Sequence, residues 1–231
     1  MSSAPTGRPI PLALTMLVAF FAALTALAVS NGHDAHAHGN APGHTETPVA
    51  LTQSASALRS DMRVLWEDHI VWTRLAIISL TTGSPDTQAT VARLLKNQAD
   101  IGNAVKPFYG RKAGNRLTAL LKEHINTAVA VLQAAASGDS QAIATAKAAF
   151  FANGDQVARF LHGANPRHWS LRAMQRMMRI HLKQVIALAV DQLQGDYAAA
   201  IRLYDAYIAH ILDMADMLST GIMQQFPEKF R

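Results

Sequence analysis

The chain has 231 residues, of which 50% are hydrophobic, and it carries a formal net charge of +5 with no cysteine. The lack of cysteine excludes disulfides, thiolate zinc sites, thiol nucleophiles and iron-sulfur clusters, so a metal site here would need histidine, methionine, carboxylate or backbone ligands. The basic residues are mostly dispersed along the chain, which argues against nucleic acid as a partner.

The first predicted element is an uncharged hydrophobic run at residues 10–29, IPLALTMLVAFFAALTALAV. It is close to the ~20 residues that span a bilayer, and it ends with an A-x-A pattern typical of signal-peptide cleavage. We expect residues 1–30 to be either a cleaved signal peptide or a retained membrane anchor. Both alternatives place the rest of the protein outside the cytoplasm, as a secreted or periplasmic protein or one anchored to the membrane by residues 10–29.

A linker is expected next, at residues 31–50, because this stretch is rich in Gly, Pro, Ala and His and has no apolar periodicity. Without a fold to fix their geometry, its histidines would hold a divalent ion only weakly. They are His33, His36, His38 and His44.

Helical periodicity dominates the remaining chain, residues 51–231, where apolar residues recur every three or four positions. Turn signals interrupt it at residues 83–86, 106–114, 138–139, 163–166 and 195–196, mostly as a glycine followed by a helix-capping residue. This pattern predicts an all-α helical bundle of six helices. The helices are expected to form three αα-hairpins, at about residues 58–106, 115–163 and 168–225.

The three predicted hairpins look like copies of one unit of about 55 residues. Each contains a histidine 14 residues before a turn glycine: His69 before Gly83, His124 before Gly138 and His181 before Gly195. The return helices carry a second polar position, 14 or 15 residues after the glycine, in the segments NQAD (97–100), NGDQ (153–156) and HILD (210–213). Such repetition is typical of helical-hairpin arrays.

Helix geometry predicts where the repeated polar residues lie relative to one another. Fourteen residues span about 21 Å of helix, so each histidine is level with the polar residue on its return helix. Helical spacing also turns both positions inward, which predicts a polar layer through an apolar core. That layer is a candidate metal site, with the proposed ligands His69, His124, His181, His210, Asp100 and Asp213.

Histidine ligands suit a transition metal such as Cu, Zn or Fe better than Mg or Ca. Met177, Met178 and Met214 lie one helical turn from two of the histidines, and their thioethers would favour Cu(I), although methionine is a common core residue. The E-x-x-H motif of ferritin-like di-iron bundles is absent from the sequence.

Two other interpretations compete with a metal site. In the first, each histidine simply hydrogen-bonds its partner on the return helix, which makes the layer structural and the protein a non-enzymatic structural or interaction domain. In the second, Glu67, Asp68 and Glu123 support acid-base catalysis, but these carboxylates lie off the histidine stripe and should face solvent. Enzyme activity is therefore the least favoured interpretation.

Several segments, including LWEDHIVWTR, LLKNQADIGNAVKPFYG and MADMLSTGIMQQF, resemble a family of small bacterial exported or surface helical-bundle proteins with no established activity. The resemblance covers nearly all of residues 58–227 and implies that they form one unit. Enzyme names attached to similar sequences, such as acetylglutamate kinase or glycosyltransferase, gain no support from this chain, which lacks their Gly-rich phosphate contacts and α/β alternation. The leading hypothesis is thus metal binding or sensing outside the cytoplasm.

Overall fold

A computed structural model describes residues 51–231, which form six α-helices and one short 3-10 helix with no β-strand in that range. The predicted all-α architecture of six helices is confirmed. The predicted N-terminal hydrophobic helix and the linker lie outside the described residues. The helices are α1 Gln53–Thr82, α2 Thr87–Ala104, α3 Lys106–Ser137, α4 Ser140–Ala164, α5 Leu171–Gln194 and α6 Tyr197–Gln225, followed by the 3-10 helix Pro227–Phe230.

Three helices end at the glycines that the sequence marked as turns. Gly83, Gly138 and Gly195 have φ angles of 66°, 73° and 77°, the left-handed conformation that glycine adopts without a Cβ penalty. Asp139 and Asp196 then cap the next helices, each accepting backbone N–H groups through its carboxylate. The turn signals therefore predicted these helix boundaries correctly.

The predicted break at residues 106–114 takes a different form. Helix α3 begins at Lys106, immediately after Val105, and the chain departs from helical geometry only at Gly110, with φ 79° and ψ 167°. Pro107 fits the first turn of a helix, where no N–H donor is needed, so the segment KPFY forms a helical turn before the break. A single glycine replaces the expected loop.

The six helices close into a ring. Each helix packs against the one before it and the one after it, and α1 also packs against α6. Arg63 Nη2 on α1 lies 2.6 Å from the Asp216 carboxylate on α6, and the Thr52 hydroxyl donates to the Phe230 carbonyl at 2.7 Å. The helices therefore surround one axis, with α1 also contacting α3 and α5 across the centre.

An apolar core fills the ring and includes residues from all six helices. At one edge α2 and α3 approach closely at Gly102 and Gly114, where a Cβ on either glycine would collide with the other's carbonyl oxygen. Among the helices of residues 51–231, none is both long enough and apolar enough to cross a membrane.

Candidate functional site

Three histidines on alternate helices meet at the centre of the ring. His69 on α1, His124 on α3 and His181 on α5 are only 2%, 3% and 2% exposed. The ring centre of His181 lies 5.7 Å from that of His69 and 5.5 Å from that of His124. His181 therefore stands beside both of the others.

His210 occupies an outer position beside this cluster. It lies on α6, half-buried, with its ring centre 6.5 Å from that of His181. Its Nε2 is buried and finds no hydrogen-bond partner within the described residues.

Side-chain amides on the return helices hold two of the central histidines. His124 Nδ1 lies 3.0 Å from Asn153 Oδ1, while Asn153 Nδ2 donates to the Leu120 carbonyl at 3.2 Å. With the amide nitrogen so used, Oδ1 accepts from the ring, and His124 carries its proton on Nδ1.

His69 faces a side-chain amide of the opposite polarity on α2, because the Gln98 atom nearest to its Nδ1 is the amide nitrogen, a donor, so that Nδ1 is the acceptor. Its Nδ1 lies 3.2 Å from Gln98 Nε2, and Asn97 Nδ2 donates to the Leu65 carbonyl at 3.0 Å. Both Asn97 and Gln98 are fully buried. His69 was predicted to pair with Asn97, but the amide nearest to its ring is that of Gln98, a residue of the same NQAD segment that helical spacing does not single out.

His181 is the exception among the three. Its Nδ1 is buried and has no hydrogen-bond partner in residues 51–231. The corresponding polar residue on α6, His210, instead interacts with the backbone of Met177, which raises the pKa of His210 against the lowering effect of burial. A buried polar atom without a partner is uncommon in a folded protein and calls for a physical reason.

Burial keeps the three histidines neutral. It lowers the pKa of His69 to about 3 and that of His124 to about 4, and it lowers the pKa of His181 well below the ordinary value. The neighbouring imidazoles lower the pKa of His69 and His181 further, because charges so close would repel. Neutral imidazole is the form that binds metals.

A cavity of about 30 Å³ lies among the three histidines and the surrounding core. One water needs roughly 10–15 Å³, so the space suffices for a small ion or water. Its wall is almost entirely apolar, so the histidine ring nitrogens contribute very little to it. It includes four methionines and two tryptophans: Met62, Met177, Met178, Met214, Trp66 and Trp169. Met62 was not identified from the sequence, although it stands two helical turns before His69 on the same face.

The two predicted carboxylate ligands are outside this cavity. Asp100 is partly exposed and its carboxylate lies 2.8 Å from the Lys96 ammonium. Asp213 is exposed, though its charge acts to raise the pKa of the nearby His210 against the lowering effect of burial. Within residues 51–231, no group of three or more His, Asp or Glu side chains is already arranged to hold a metal ion.

The carboxylates considered for catalysis lie on the outside of the ring. Asp68 is 2.8 Å from Arg93 Nη2, and both Glu67 and Glu123 are exposed. None of the three lines the central cavity.

Comparison with known proteins gave no relative. No protein-family model, no curated protein and no solved structure matches the chain.

Proposed function

We propose that this protein binds or senses a transition metal ion outside the cytoplasm, through the central histidines of the bundle. The observation that carries the proposal is His181, a buried imidazole whose Nδ1 lacks a hydrogen bond although His69 and His124 stand beside it. Leaving such a group unpaired costs free energy, which a bound ion or water can offset. An ion between the three rings would give His181 its missing partner.

The hydrogen bond to Asn153 suits His124 to act as a ligand. Because His124 Nδ1 donates to Asn153 Oδ1, its Nε2 keeps a free lone pair. Metal-binding histidines are usually held in this way, with the second ring nitrogen donating to an oxygen that fixes the tautomer and the ring orientation.

The spacing of the rings also supports a shared ion. Two imidazoles on one ion, with metal–nitrogen distances of about 2.1 Å and tetrahedral angles, have their ring centres roughly 5 Å apart. The separations from His181, 5.5 Å and 5.7 Å, are slightly larger. The rings of His69 and His124 would have to reorient into the cavity to share an ion with His181, with His210 and Asp213 as an outer pair.

We further propose that the three helix pairs are copies of one αα-hairpin. In the first two, an asparagine donates to the carbonyl four residues before the histidine, Leu65 for His69 and Leu120 for His124. In the third, His210 interacts with the backbone of Met177, four residues before His181, which raises the pKa of His210. A shared contact at a shared register supports duplication of one unit.

The proposed location follows from residues 10–29, whose hydrophobic run is expected to act as a signal peptide or membrane anchor. The mass of the mature protein would distinguish cleavage near residue 28 from retention of the full chain. Recovery of the protein only in the cytoplasmic fraction would contradict both alternatives.

A structural role is the second candidate, and the His124–Asn153 hydrogen bond favours it directly. In this account the polar layer fixes the register of each helix pair and binds nothing. The domain would then be a non-enzymatic structural or interaction module.

Metal content separates the two candidates. The purified full chain would carry glutamine in place of the four linker histidines, His33, His36, His38 and His44, so that only the folded domain can hold an ion. After exposure to Cu, Zn, Fe and Ni and removal of loosely bound ions, we expect close to one equivalent of metal by elemental analysis.

The matched variants locate that metal. His124→Ala with His181→Ala should abolish it while circular dichroism stays helical, whereas His168→Ala, in the link between α4 and α5, should leave it unchanged. Failure to retain any of the four metals would favour the structural role.

A further inference from the structure

Methionines as well as histidines line the central cavity. Met177 and Met178 lie one turn before His181 on α5, and Met214 lies on α6; all three are buried and line the same cavity as the histidines. Thioether sulfur is a soft ligand that favours Cu(I) over Zn, Fe or Ni, which accept harder donors.

The cavity wall has no compensating negative charge. Among the described residues that line it there is no Asp or Glu. The desolvation free energy of an ion buried without a counter-charge rises with the square of its charge. It is therefore about four times larger for a divalent ion than for a monovalent ion of equal size. This environment therefore disfavours divalent metals.

We infer that the histidine–methionine cavity is selective for a soft monovalent cation, Cu(I), held by imidazole nitrogens of His69, His124 and His181 with thioether sulfur from the methionines. The inference rests on the proposed metal-binding function and names the ion. It follows from two separate observations, the donor set and the missing carboxylate, which both point to the same charge and softness.

The test compares Cu(I), Ag(I) and Zn(II) on the full chain with glutamine at the four linker histidines. Cu(I) is supplied without oxygen and titrated against a chromogenic Cu(I) chelator; Ag(I) serves as a redox-stable monovalent probe, and Zn(II) is titrated against a zinc indicator. We expect one equivalent of Cu(I) or Ag(I) to bind at least about a hundredfold more tightly than Zn(II).

Replacing Met177, Met178 and Met214 with leucine is the matched variant, since leucine keeps the apolar volume and removes the sulfur. It should weaken Cu(I) binding by on the order of tenfold or more while Zn(II) affinity changes little. X-ray absorption at the copper edge, measured on the protein that keeps all its methionines, should show sulfur as well as nitrogen neighbours of the copper ion. That spectrum tests the inference even if the triple variant fails to fold.

The outcomes distinguish metal binding by the histidines from selectivity for Cu(I). Binding of none of the three ions overturns the Cu(I) inference, and failure to retain Fe and Ni as well overturns the proposed function itself. Binding of Zn(II) as tightly as Cu(I), or a copper spectrum with nitrogen neighbours alone, overturns the Cu(I) inference and leaves a histidine metal site standing.

Discussion

His181 differs from His69 and His124 in one respect that decides the chemistry of the centre. All three are buried and neutral, but only His181 has an unpaired Nδ1, while His124 is tied to Asn153. The cost of removing each ring should therefore differ.

In metal-free protein, His124→Leu should destabilise the fold by about 1–3 kcal/mol more than His181→Leu, because it leaves the Asn153 oxygen buried without its donor. His181→Leu removes a group that is already unpaired, so its effect should be small or stabilising. Urea unfolding in the presence of a chelator measures both free energies. Equal losses from the two substitutions would argue against this hydrogen-bond assignment.

The buried histidines also predict how stability depends on pH. Burial lowers the pKa of His69 to about 3 and of His124 to about 4, against about 6.5 in an unfolded chain. Below pH 6.5 the unfolded state therefore binds more protons than the folded state, and stability falls as pH falls. Each buried histidine contributes up to about 1.4 kcal/mol per pH unit in this range.

Chemical denaturation of metal-free protein between pH 7 and pH 5 tests this expectation, in a range above the titration of most carboxylates. The His181→Leu variant should show a shallower dependence, since one titrating group is gone. A free energy of unfolding that stays constant or rises toward pH 5 would contradict the neutral, buried state of the layer.

Helix ends set the register that brings the histidines level. Gly138 ends α3 in a left-handed conformation, and Asp139 starts α4 at once, so His124 and Asn153 face each other across the pair. The glycine and its following cap are therefore part of how the site is positioned.

Two glycine substitutions should have opposite effects. Gly138→Ala should cost about 1 kcal/mol, because alanine is strained at a φ of 73° even though the space around it is open. Gly163→Ala, near the end of α4, meets no neighbouring atom and has no positive φ, so it should be neutral or stabilising by up to about 1 kcal/mol. Thermal unfolding of both variants gives the comparison; similar changes would contradict the role of the turn.

The helices and their turn glycines could be predicted from the sequence because periodicity and capping are local signals. Two details could not. The segment before Gly110 forms a helical turn because Pro107 is tolerated there, which overrides the expected loop. Gln98 reaches His69 through its own side-chain conformation, which spacing alone does not determine.

The closed ring gives the whole molecule its centre. With α1 packed against α6, the alternate helices α1, α3 and α5 direct their histidines to one place, which a row of stacked hairpins would not do. The offset of 14 residues from the turn glycines predicted that the three histidines lie at the same level along their helices. Closure of the ring, in contrast, depends on contacts between distant parts of the chain. Arg63 with Asp216 is such a contact.

Because the proposed ion contacts three helices of the ring, binding should stabilise the entire domain. At a free ion concentration 100 times the dissociation constant, the expected gain is about 2.7 kcal/mol. Thermal unfolding with and without Cu(I) should show this gain, and His181→Leu should lose it. A gain that persists in His181→Leu would place the bound ion elsewhere.

The most direct test of the central claim is a crystal structure of the protein loaded with Ag(I) or Cu(I), with anomalous scattering used to locate the ion. We expect one strong anomalous peak in the central cavity, within bonding distance of nitrogens from His69, His124 and His181. An empty cavity in a crystal whose peaks lie only at surface side chains would contradict it.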